Sequence, residues 1–103
     1  MPKFIFVYHG GKAPSDPAEQ ERVMAAWGAW MGGLGSALVD GGAPVGMSRT
    51  VSPSGVADDG GANPVSGYSM VEAADQDAAA EMAKGCPILA DGGSVEVAEI
   101  LSM

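Results

Sequence analysis

Apolar residues recur along this chain with two different periods. Over residues 16–42, Val23, Trp27, Trp30, Met31, Leu34 and Leu38 fall three and four apart, the spacing of one helix face. Both ends of that stretch carry signals. Asp16 can cap the start, Pro17 suits the first helical position, and Glu19 completes an Asp-x-x-Glu capping box. Gly41 or Gly42 supplies a left-handed stop. The spacing predicts one long amphipathic helix over 16–42, with the rest of the chain arranged to cover its face.

Elsewhere the period is two. Residues 3–9 (KFIFVYH) are short and rich in aromatic and β-branched side chains, so they predict a strand. Phe4, Phe6 and Tyr8 share one face and Ile5, Val7 and His9 the other; both are apolar, which predicts a central strand. Residues 10–15 form a flexible connection into the helix. A second strand is predicted within 43–51, from Val45 onward. Residues 52–64 are turn chemistry throughout and predict a long exposed hairpin loop. A third strand follows at 65–71, with Val65, Gly67, Ser69 and Val71 on one side. A short Ala-rich helix covers 75–84, with Asp75 and Asp77 at its positive end and Gly85 as its stop. The last strand spans 94–101.

The predicted order is β-α-β-β-α-β in a single domain over residues 1–103. It is the α+β, ferredoxin-like split βαβ arrangement, an antiparallel sheet with two helices on one face. The other sheet face is left open in one chain, and its apolar residues predict face-to-face pairing into a homodimer.

Composition narrows the partners. The 103 residues carry 13 acids against five scattered bases, a net charge of −8, so no basic stripe exists to follow a phosphate backbone. Nucleic-acid binding and docking on an anionic membrane are not expected. The opening Met-Pro-Lys runs directly into a strand too short for a signal peptide or a membrane span, which makes the cytoplasm the expected location. Aromatics are only 6% of the residues while Gly (16) and Met (7) are plentiful, so a core of Ala, Val, Leu and Met buries little per side chain. That too favours a second copy. A lone Cys86 forms no intramolecular disulfide, and with one His it builds no typical metal site. No cofactor fingerprint is present, and no cofactor is expected.

Several segments together resemble a known family. They are Trp27-Gly28-Ala29-Trp30, the run LGSALVDGG over 34–42, PVGMSRTV over 44–51, and CPILADGGSVEV over 86–97. In this order and at this length they resemble the YCII-related (DGPF-like) family of small bacterial proteins, from first strand to last. The resemblance implies a ferredoxin-like protomer that pairs as a dimeric α+β barrel, with a small-molecule cleft between sheet and helices. Some members look like lactone- or quinol-processing enzymes, including a dehydrochlorinase-like branch that uses a His–Asp pair; others accompany extracytoplasmic-function sigma factors. That branch carries its His in the first helix. This helix has none, Trp27 standing at roughly the same place, so the pair does not carry over.

The candidate site is His9, Trp27, Trp30, Arg49 and Asp40. His9, the only histidine, reads either as a general base near neutral pH or as a strand-end ring bonded to a loop carbonyl. Arg49 can grip a carboxylate in two-pronged fashion or pair with an acid such as Glu72. Trp27 and Trp30 can wall a cleft or pack in the core. Asp40, placed at a helix C-terminus, opposes the helix dipole and hints at a specific partner. Cys86 follows a helix C-terminus, which disfavours a thiolate. Two functions are expected of this set. One is binding a small organic ligand, with cofactor-free acid–base isomerisation or elimination if the protein is an enzyme. The other is a non-catalytic role in ligand sensing or as a regulatory or structural partner.

Overall fold

A computed structural model describes residues 1–11 and 15–102. The connection read across 10–15 thus lies partly outside the described residues. The elements run β1 (Lys3–His9), α1 (Pro17–Leu34), a 3-10 turn (Gly35–Ala37), β2 (Leu38–Pro44), β3 (Thr50–Ser52), β4 (Gly55–Ala57), β5 (Val65–Glu72), α2 (Gln76–Ala83), a second 3-10 turn (Pro87–Asp91) and β6 (Ser94–Ile100). Four strands form an antiparallel sheet in the order β2-β5-β1-β6, and β3 pairs β4 as a separate hairpin. An α+β chain with this sheet and two helices is compatible with a ferredoxin-like fold. No helix among the described residues is long and apolar enough to cross a membrane.

Strand β1 lies at the centre of the sheet, as its two apolar faces predict. Register fixes the faces. Phe4, Phe6 and Tyr8 sit opposite Val71, Ser69 and Gly67 of β5, and all six are buried beneath the helices. Trp27, Trp30 and Leu34 of α1 and Ala79 and Ala83 of α2 pack on that layer. Ile5, Val7, Tyr68 and Met70 take the opposite phase and face away from the helices, Tyr68 remaining 37% exposed.

Helix α1 starts as expected. Asp16 Oδ1 accepts the Glu19 amide at 2.8 Å, and the Glu19 carboxylate accepts from the Ser15 hydroxyl at 2.6 Å. Its end corrects the sequence reading. The helix stops at Leu34, not at 41–42, because Gly35 takes φ 57° and the chain leaves the helical path. Leu38 therefore belongs to β2, yet it still packs against the core. Three- and four-residue spacing persists across a helix–strand junction here, which is why periodicity alone overran it.

The second strand is corrected with it. It is Leu38–Pro44, whereas residues 45–49 are irregular and Met47 is 98% exposed. The segment 52–64 is not one long loop either: Val51 pairs Val56 across a tight turn with Gly55 at φ 132°. Glycines 28, 32 and 33 lie inside α1, and a Cβ built on any of them meets nothing within 4 Å. In a single chain they do not serve close packing of the helix on the sheet.

Candidate functional site

A cleft of about 450 Å³ lies between α1 and the β2–β5 edge of the sheet. Val23, Trp27 and Met31 line it from the helix, Tyr8 forms its floor, and Ile88 and the backbone around Gly42 contribute to its walls. The helix supplies its side of the cleft because residues 23, 27 and 31 recur every four positions on one face. The sheet side opens because β2 is irregular. Its pairing with β5 breaks between Leu38 and Asp40 and again between Asp40 and Ala43. Gly42 adopts φ 70° in that break, and any Cβ there would collide with the Tyr68 carbonyl, so glycine is required.

The aromatic wall is well ordered by contact. Tyr8 and Trp27 meet edge to face, with centroids 4.9 Å apart and planes at 83°, and Trp27 meets Trp30 similarly at 5.8 Å. The Tyr8 hydroxyl donates to Ser69 Oγ at 2.7 Å, and Ser69 in turn donates to the Gly41 carbonyl at 2.8 Å. Burial pushes the Tyr8 phenol up to about 12, against the lowering effect of the Ser69 bond. Tyr8 is therefore neutral at physiological pH. None of the described residues lining the cleft is Asp, Glu, Lys, Arg or His. The wall also contains Ser66, whose buried Oγ has no hydrogen-bond partner in the structure.

The residues singled out in the sequence are dispersed. Trp27 lines the cleft. Trp30 lies deeper, where its Nε1 donates to the Met82 carbonyl of α2 at 3.0 Å. His9 points away from the helices, with Nε2 2.9 Å from Glu96 Oε1 and Nδ1 3.2 Å from the Pro64 carbonyl. The Glu96 bond is the main cause that raises the His9 pKa above its ordinary value, opposed by burial. Arg49 is not in a strand. It is exposed, with Nε 3.4 Å from Asp58 Oδ1, also an exposed group. Asp40 is in β2 rather than at a helix end, so the dipole argument does not apply to it; its Oδ1 accepts the Gly42 amide at 2.8 Å and shapes the strand break.

Sequence reasoning missed Tyr8 and Ser69 as a pair and Gly42 as a lining residue. Tyr8 and Ser69 are 61 positions apart, and only the β1–β5 register joins them. Cys86 is buried, and burial pushes its thiol pKa up, so it is a poor nucleophile. Among the described residues no group of three or more His, Cys, Asp or Glu is placed to hold a metal ion. No family model, curated protein or solved structure matches the chain.

Proposed function

We propose that this protein is a homodimer that binds a small, largely apolar organic molecule in the cleft between α1 and the β2–β5 edge. The observation that carries this reading is the cleft itself: about 450 Å³, walled by Trp27, Tyr8 and Met31, and within the size range of small-molecule sites. The resemblance to YCII-related proteins, with their dimeric α+β barrel and sheet–helix cleft, agrees with it. Pairing through the sheet face that carries Ile5, Val7, Tyr68 and Met70 would cover apolar surface that the helices leave open.

The chemistry of the lining favours binding over turnover. Acid–base catalysis needs a group that titrates near neutral pH within reach of the ligand. His9 faces the other side of the sheet, and the phenol of Tyr8 holds its proton until about pH 12. Ligand sensing or delivery is thus better supported than isomerase- or lyase-type chemistry.

Native mass spectrometry on the protein as purified tests both parts. A dimer carrying a small-molecule adduct is the expected result. A clean monomer overturns the dimer, and its adduct state reads the cleft independently. Met31→Trp, which fills the cleft, should abolish any adduct while leaving the oligomeric state unchanged.

A further inference from the structure

The hydrogen-bond chain in the cleft wall has a direction, and it selects the ligand. A backbone carbonyl can only accept, so Ser69 must place its hydrogen on the Gly41 oxygen. The Ser69 oxygen is then free to accept, and it takes the Tyr8 hydrogen. Both hydroxyl hydrogens of this chain are committed, and the unpartnered Ser66 hydroxyl of the same wall is buried rather than open to the cleft. Tyr8 Oη retains acceptor capacity alone, and the Tyr8 ring that carries it meets Trp27 edge to face.

The cleft offers nothing to a charged ligand. Its described lining holds no Lys, Arg or His to neutralise an anion and no Asp or Glu to neutralise a cation. Stripping water from an ion without such compensation is strongly unfavourable. Arg49, the group best suited to a carboxylate, is outside the cleft and paired with Asp58. The protein's net charge of −8 works against anions as well.

We propose that the cleft selects uncharged aromatic molecules bearing an N–H or O–H group that donates to Tyr8 Oη. This rests on the ligand-binding reading above and specifies the ligand class for that same site. The flat walls of Trp27 and Tyr8 favour a ring, and the directed Tyr8–Ser69–Gly41 chain favours a donor on it. Burial of the phenol keeps Tyr8 neutral across the physiological range, so the preference holds at any pH near 7.

The test uses three ring-matched probes, indole, benzofuran and indole-3-carboxylate, titrated into the full chain and followed by NMR. Indole and benzofuran share shape but only indole donates. Indole should bind roughly tenfold tighter than benzofuran, the scale of one neutral hydrogen bond, and the carboxylate should bind weakest. Tyr8→Phe should equalise indole and benzofuran while both still bind. Ser69→Ala frees the Tyr8 hydrogen and should narrow the same ratio without removing the phenol. Benzofuran matching indole in the native protein, or an indole preference that persists in Tyr8→Phe, overturns the donor rule and leaves the cleft standing. Tightest binding by the carboxylate overturns the exclusion of anions. Failure of all three probes to perturb the Trp27 resonances overturns the ligand-binding reading itself, and the selection rule with it.

Discussion

Trp30 of α1 and Met82 of α2 are joined by a 3.0 Å hydrogen bond from the indole N–H to the backbone carbonyl. The two helices share no sequence proximity, yet this bond fixes the last turn of α2 against the aromatic layer. Gly85 makes room for it, since a Cβ there would lie 3.1–3.2 Å from Trp30 Cδ1 and Nε1.

Trp30→Phe should therefore destabilise the fold by about 1 kcal/mol from the lost bond, plus a packing loss. Gly85→Ala should destabilise it separately, by crowding the indole. The double variant should lose less than the sum of the two, because the smaller ring relieves the crowding. Urea denaturation of the three variants measures this; strict additivity would show that Gly85 and Trp30 are not coupled.

The two classes of glycine separate cleanly. Gly42→Ala meets the Tyr68 carbonyl at a left-handed φ and should cost on the order of 2–3 kcal/mol. Gly28→Ala faces open space in a helix and should be neutral or stabilising by up to about 1 kcal/mol. Thermal melts of both variants decide it. A strongly destabilised Gly28→Ala would point to a partner surface packed on that helix face.

His9 and Glu96 make stability depend on pH in a defined direction. The folded His9 pKa is raised above its unfolded value of about 6.5. The stabilisation is thus fully present below about pH 6.5 and fades as pH rises through the raised folded value. As the only histidine, His9 gives a unique imidazole signal, whose NMR titration midpoint should lie above 6.5 and fall in Glu96→Gln. Because Glu96 is two-thirds exposed, salt should weaken the effect. His9→Ala should leave probe binding in the cleft unchanged.

Cys86 should resist thiol reagents in the native protein, being buried with its thiol pKa pushed up. Labelling with a chromogenic disulfide reagent should track unfolding in urea. Rapid labelling in native buffer would show that the turn over Pro87–Asp91 opens readily.

Much of the architecture was legible because local patterns carry it. The alternation in β1 and β5 grouped correctly the residues that share a face, and Asp16 caps α1 as expected, while Asp75, read at the positive end of the second helix, proves to be its cap. Local pattern failed where two elements share a period by coincidence. Leu34 and Leu38 are spaced as on one helix, but Gly35 turns the chain between them, and whether a glycine bends a helix or merely weakens it is not written in its neighbours.

The candidate site was less legible still. Residue chemistry singled out His9, Arg49 and Asp40, since a lone imidazole or guanidinium stands out in a sequence. Tertiary structure sends them to the far sheet face, an exposed ion pair and a strand break. Chain order and strand alternation determined which residues share a sheet face, and helix packing decided which of those faces is covered. Only the three-dimensional register, bringing positions 8, 41 and 69 together across the sheet, decided where the cleft opens and which way its hydrogen bonds point. Such contacts depend on long-range pairing, and no local preference of the chain encodes them.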